Sequence, residues 1–170
     1  DQEQVDKALA VAGKLPGLYG IAYWDDAGMW SYRHDLLHAF EPLCANGRRE
    51  HERHPERFAQ AVEAGRADDL ALLTYTSGTT SKPKGVMVSH RWLVDNASRM
   101  LSALPLEPGM EYLSYTPLAW ITEQLLGVTL GLMLPLVVNF PEGPDQVLPN
   151  IRELSPHMVL FGPRQWESIA

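Results

Sequence analysis

The chain has 170 residues, 45% of them apolar, which is the length of one ordinary domain and enough to fill a core. Its 14 lysines and arginines stand against 21 aspartates and glutamates, and the net charge of −7 argues against nucleic acid as a partner, because phosphate backbones are bound by basic surfaces. A single cysteine, Cys44, excludes an internal disulfide and fits a reducing, cytoplasmic setting.

Val5, Leu9 and Ala12 recur at helical spacing, and Gly13 is placed to end that helix. Residues 19–24 (YGIAYW) are short, aromatic and bounded by Gly and Asp, which predicts a strand. Leu36, Leu37, Phe40 and Leu43 form a second helical stripe stopping near Asn46-Gly47; the polar run 48–55 then reads as a solvated connection, and Phe58 with Val62 as a short helix. Residues 70–75 read as a buried strand. Leu93, Ala97, Met100, Leu101 and Leu104 fit one helical face, with Ser89 as N-cap and Pro105 past the end. Strands are expected over 111–116, 136–140 and 158–161, a buried helix over 121–132, and a further helix through Val147, Leu148, Ile151 and Leu154. Strands alternating with helices imply mostly parallel pairing and an α/β layer fold.

The apolar run 125–138 is too short to span a membrane and holds Pro135 and two glycines, so it reads as a buried element. The chain opens on Asp1-Gln2-Glu3 with neither an initiator Met nor a basic-then-apolar leader, and it stops abruptly at Ser168-Ile169-Ala170. Both ends suggest a piece of a longer protein.

Between the strand at 70–75 and the helix after Ser89 lies Tyr75-Thr76-Ser77-Gly78-Thr79-Thr80-Ser81-Lys82-Pro83-Lys84-Gly85. Hydroxyls of Thr76, Ser77, Thr79 and Thr80, with the backbone N–H groups, can converge on a polyphosphate. Gly78 and Gly85 let the backbone approach a ligand, Lys82 and Lys84 add charge, and Pro83 stiffens the loop. No Gly-Lys-Ser/Thr follows Gly78 at Walker A spacing. On residue density alone, a solvated surface loop stays open as the alternative.

YTSGTTSKPKG closely resembles the signature loop of the adenylate-forming superfamily, which includes acyl-CoA synthetases, luciferases and peptide-synthetase adenylation domains. That pattern is Tyr-Thr-Ser-Gly-Thr-Thr-Gly-x-Pro-Lys-Gly, and Ser81 replaces its second Gly. The resemblance implies that the loop grips the β- and γ-phosphates of ATP. Thr76 would help hold Mg²⁺. Ser77, Gly78, Thr79, Thr80, Lys82, Lys84 and Gly85 would contact phosphate, with Lys84 the catalytic residue among them. Val86-Met87-Val88-Ser89-His90 continues the likeness, since a Ser/Thr-His pair commonly opens the next helix there; His90 reads as a first-turn residue rather than a catalytic one.

The segment 115–124 (YTPLAWITEQ) resembles the Pro-Leu-x-His segment of the same family, with Trp120 in the place of the His or aromatic beside the acyl pocket. Trp120 is thus either a wall of an acyl or aryl pocket or a core aromatic. Segments at 1–7, 68–71, 139–142, 150–154 and 162–167 are similar to long-chain fatty acyl-CoA synthetases in particular. The family's Tyr-Gly-x-Thr-Glu segment, its ribose-binding Asp and the C-terminal domain with its late Lys do not occur here, which implies residues 1–170 are an incomplete portion of the N-terminal AMP-binding domain.

The resemblance therefore implies a parent ligase that turns a carboxylic acid, by expectation a long-chain fatty acid, into acyl-AMP and then acyl-CoA, using ATP, Mg²⁺ and coenzyme A. Its partners would be those small molecules, with no transmembrane segment and with peripheral membrane contact left open. Two alternatives stand beside this reading. One is a non-catalytic nucleotide-phosphate-binding fragment. The other is an aryl-acid ligase or carrier-protein-loading adenylation enzyme. His34-x-x-x-His38 and His51-x-x-His54 have chelating spacings, but no Cys or carboxylate set completes a site, and they read as solvated. Neither Gly-x-Gly-x-x-Gly nor Gly-x-Ser-x-Gly occurs, which removes the usual dinucleotide and α/β-hydrolase readings.

Overall fold

The computed structural model describes residues 1–76, 82–162 and 166–167. Two compact units divide the chain, Asp1–Gly65 and Arg66–Ala170. In the first, the Asp1 carboxylate accepts a hydrogen bond from the Gln4 amide at 3.0 Å and so caps helix α1 (Gln2–Ala12), which ends at Gly13 as its spacing predicts. Strand β1 (Ile21–Tyr23) pairs in parallel with β2 (Leu37–Ala39), Ile21 opposite Leu37.

That pairing corrects the helical stripe expected from Leu36. Leu37 is drawn into the ladder, and helix α2 (Phe40–Arg53) begins only after it. The helix then runs through Asn46-Gly47 and most of the polar stretch expected to be a connection. An interior Gly costs a helix only about 1 kcal/mol, and the Arg and Glu residues that follow are good helix formers. A short helix, α3 (Arg57–Ala64), follows where Phe58 and Val62 place it.

The second unit begins with an antiparallel hairpin. Strand β3 (Leu70–Thr76) pairs with β4 (Lys84–Ser89), Thr74 opposite Val86 and Thr76 opposite Lys84. β4 was not expected from the sequence, and this pair departs from the parallel rule because the chain doubles back directly through the loop. β3 is also less covered than a buried strand. Thr74 is buried, whereas Leu73 and Tyr75 on the other face of the hairpin are exposed, as is Met87 of β4.

Ser89 caps helix α4 (His90–Ala103) by accepting from the Trp92 amide at 3.2 Å, and the helix gives way at Leu104, just before Pro105. Strand β5 (Glu111–Leu113) pairs in parallel with β6 (Val137–Asn139), and Met158 adds one parallel bridge to Tyr112 where a further strand was expected. The helical run between β5 and β6 is not a uniform α-helix. One turn of α5 (Ile121–Glu123) leads into a π-helical segment (Gln124–Leu130) and then a turn of α6 (Gly131–Met133). It buries one stripe, Glu123, Leu126 and Leu130, and leaves Leu132 exposed.

Helix α7 (Val147–Leu154) ends at Ser155, whose φ of 47° is left-handed. The core of this unit is built on Ala97, Tyr112, Leu126 and Leu130, so α4, β5 and the π segment meet at one place. Among the described residues two of the three strand pairs are parallel, and the architecture is mixed α/β.

Candidate functional site

The hairpin turns the loop motif into geometry. At its mouth Thr76 and Lys84 are cross-strand partners, with Tyr75 and Gly85 the next pair inward. A Cβ at position 85 would sit 3.4 Å from the Tyr75 ring, so the ring covers the bare strand position that Gly85 leaves. Thr76, Lys82 and Lys84 are all exposed. The pairing thereby sets the Thr76 and Lys84 side chains at one end of a two-stranded scaffold, with Lys82 two residues before Lys84, an arrangement suited to a polyanion. Ser77, Gly78, Thr79, Thr80 and Ser81 lie outside the described residues. The Thr76 hydroxyl is a hard oxygen donor, which fits the donor chemistry of a Mg²⁺ that takes few protein ligands and shares phosphate oxygens.

One face of the hairpin, with Thr74, Thr76, Val86 and Val88, lines a groove of about 500 Å³ together with Trp92 of α4 and Ile121. Thr74 reaches across the end of this groove. Its Oγ1 donates to the Ala119 carbonyl at 2.9 Å, tying β3 to the segment before Trp120. Trp120 itself is 59% exposed at the head of α5; its neighbours Leu118 and Ile121, rather than its own ring, line the described grooves.

A second groove, about 280 Å³, opens past the carboxyl ends of the parallel strands β5 and β6, where α/β sheets commonly receive ligands. Ser114, Thr116, Leu118 and Phe140 are among its walls.

Behind that wall lies a cluster the sequence reading did not single out. Glu123 is 0% exposed, and its carboxyl oxygens accept from the Tyr112 hydroxyl at 3.0 Å, the Ser114 hydroxyl at 2.5 Å and the Thr116 hydroxyl. Burial foremost, and then the neighbouring Glu123, pushes the Tyr112 phenol well above the usual tyrosine range, so Tyr112 stays a donor. Tyr115 points the other way and donates to the Leu160 carbonyl at 2.5 Å; burial raises its phenol as well. The sequence signal was hydroxyl-bearing residues at 112 and 114–116, followed by an acid, Glu123, just ahead of the apolar run 125–138.

Asp68 and Arg91 fasten the base of the hairpin to α4. Arg91 Nε and Nη2 donate to the two Asp68 carboxylate oxygens at 2.7 and 3.2 Å, and the guanidinium holds the exposed Asp68 carboxyl below the usual carboxylate range. The His90 amide donates to the Asp69 carbonyl at 3.2 Å, consistent with a residue of the helix start. Among the described residues no three metal-ligating side chains cluster, and no helix is long and apolar enough to cross a membrane.

The family model of AMP-binding enzymes matches residues 29–170. The long-chain-fatty-acid–CoA ligase ACSBG1 of Bos taurus is 30% identical over 99% of this chain and 23% of its own length. The ligase ACSBG2 of Gallus gallus is 34% identical over 66% of this chain and 16% of its own length. The chain thus spans about a quarter or less of the curated relatives it matches. Among solved structures, the o-succinylbenzoate CoA synthetase (MenE) of Bacillus subtilis, in complex with its acyl-adenylate intermediate, superposes with a TM-score of 0.52 at 25% identity, covering 61% of this chain and 28% of that one. An AMP-forming acyl-CoA synthetase/AMP-acid ligase II-like protein from Dyadobacter fermentans gives 0.50 at 26% identity, covering 58% and 28%.

Proposed function

Since the chain belongs to the family of AMP-binding enzymes, we propose that it forms the ATP-phosphate-gripping part of an AMP-forming acyl-CoA synthetase. The observation that carries this reading is the β3–β4 hairpin, which sets Thr76 opposite Lys84 at the mouth of the loop. In the reaction a carboxylate attacks the α-phosphate of ATP, forming acyl-AMP and releasing pyrophosphate; the thiol of coenzyme A then displaces AMP. Lys84 neutralises charge that builds on the departing pyrophosphate, and Lys82 adds to the positive field around it. The hydroxyls and amides of residues 76–80 hold the β- and γ-phosphates in place. Thr76 is the ligand this chain offers to Mg²⁺, which when bound supplies further charge neutralisation.

Trp120 is assigned to the acid-binding end, where its exposed ring, next in sequence to the groove-lining Ile121, would close over a bound acid as a pocket wall. A long-chain fatty acid is the favoured substrate, supported by the names of the relatives that align over nearly the whole chain. The ribose and adenine contacts and the catalytic Lys of the second domain are assigned to segments outside residues 1–170, and the enzyme to the cytoplasm.

ATP–pyrophosphate exchange with purified full-length protein tests the reading. Exchange should require ATP, Mg²⁺ and a long-chain fatty acid. Exchange driven by an aryl acid such as o-succinylbenzoate, with none from fatty acids, would overturn the substrate assignment, and no exchange with any acid would overturn the activity.

A further inference from the structure

We infer that Glu123 is a positioning residue, which fixes the segment 117–120, and with it Trp120, relative to the root of the phosphate loop. This rests on the proposed role of Trp120 at the acid-binding end. Burying a carboxyl group is costly unless its oxygens are matched by donors, and a leucine of similar size would fill the space without that cost. Among the described residues Glu123 makes no ion pair. What the carboxyl provides in place of simple packing is direction. Its three donors sit at alternate positions of one stretch of chain, Tyr112, Ser114 and Thr116, so it holds β5 and its continuation along their length.

The stretch it holds leads straight into 117–120, and that segment is fastened at each step. Thr116 donates to Glu123, Gln124 Nε2 donates to the Leu118 carbonyl at 2.6 Å, and Thr74 Oγ1 donates to the Ala119 carbonyl at 2.9 Å. The Glu123 amide donates to the Trp120 carbonyl at 3.1 Å. Thr74 lies two residues before Thr76 in β3, so the same fastenings that place Trp120 also tie it to the hairpin that carries the loop.

The π-helical segment completes the enclosure. It brings Gly127 against the carboxyl group, and a Cβ there would lie 2.2 Å from Glu123 Oε1. π geometry of this kind is frequent at functional sites. Gly127 therefore offers a way to displace the carboxyl group without altering it.

In the full-length protein, Glu123→Leu and Gly127→Ala should each raise KM for the long-chain acid roughly tenfold, because small misplacements of positioning groups are costly, while KM for ATP stays within about twofold. Glu123→Gln keeps the size of the group and one acceptor oxygen, which can still take the Tyr112 and Thr116 hydroxyls, while its amide NH2 can donate to the Ser114 hydroxyl in place of accepting from it. It should therefore recover most of that loss. If Glu123→Leu does not fold, Thr116→Val, which removes the donor adjoining the segment, carries the same expectation. A second readout is independent of turnover: the tryptophan emission assigned to Trp120, taken as the difference between each protein and its Trp120→Phe counterpart. Glu123→Leu and Gly127→Ala should shift it, and Glu123→Gln should not. Unchanged Trp120 emission, or equal changes in both KM values tracking only the loss of folded protein, would overturn the inference. Exchange absent in the parent together with a shifted emission would overturn the proposed activity and leave the positioning role standing.

Discussion

Lys84 and Lys82 are two residues apart but stand differently on the backbone. Lys84 is a strand residue, paired across the hairpin with Thr76, so its Cα is fixed by ladder hydrogen bonds at the mouth of the loop. Lys82 lies before Pro83, outside the ladder. A charge-assisted hydrogen bond to phosphate is worth about 1.5–3 kcal/mol, so Lys84→Ala should lower fatty-acid-dependent pyrophosphate exchange roughly 10–100-fold. Lys82→Ala should lower it only about threefold, because an exposed side chain off the ladder holds its charge less firmly in place. Equal exchange for Lys84→Ala and the parent would remove Lys84 from the phosphate site. Tyr112 bears on stability rather than turnover. Its folded pKa is raised, so the unfolded chain releases this proton first. The stabilisation is therefore complete below about pH 10 and falls above it, by at most about 1.4 kcal/mol per pH unit. Tyr112→Phe, which leaves Glu123 one donor short, should cost about 1–3 kcal/mol at neutral pH and flatten this alkaline decline. Urea unfolding from pH 8 to 11 measures both effects.

At the scale of elements, legibility follows how local the deciding interactions are. Helices α1, α4 and α7 were readable because their apolar spacing and end signals lie within the segments themselves, down to the Ser89 cap of α4. Ser89→Ala should cost about 1 kcal/mol in chemical denaturation, and glycine there only a few tenths. β2 was hidden because Leu37 satisfies a helical stripe locally and becomes a strand only by pairing with Ile21, far away in sequence. β4 was hidden for the same reason: Val86 and Val88 are too few to announce a strand without β3 beside them. The π-helical segment has no periodic signature, since it depends on Gly127 fitting against Glu123. The site divides along the same line. The loop could be proposed from eleven consecutive residues of sequence, whereas the Glu123 cluster gathers donors from 7 to 11 positions away. Where α4, β5 and the π segment meet, Leu130 is fully buried, and Leu130→Ala should cost about 2–5 kcal/mol, read by thermal or urea unfolding.

For the whole molecule, the question is how much of the proposed two-step reaction residues 1–170 can execute alone. The net charge of −7 disfavours a polyanion, so any affinity for ATP has to come from local donors, and these concentrate at the hairpin mouth. The proposed phosphate contacts would hold the leaving group, but catalysis also requires the acid carboxylate to sit in line with the α-phosphate. That alignment is where most of the advantage of an enzyme over solution arises. Adenine, ribose and the carboxylate each need groups that the loop motif does not provide, and the chain spans only 23% of the ligase ACSBG1 that it matches along 99% of its own length. The expected outcome is that the 170-residue chain supports no fatty-acid-dependent pyrophosphate exchange, while the full-length protein at equal concentration does. Added inorganic triphosphate should still protect the hairpin of the short chain from hydrogen exchange at Thr76 and Lys84, and Lys84→Ala should abolish that protection. Exchange by the short chain at the full-length rate would show that the hairpin and its neighbours are sufficient for adenylation, and would overturn the assignment of the remaining contacts to segments outside residues 1–170.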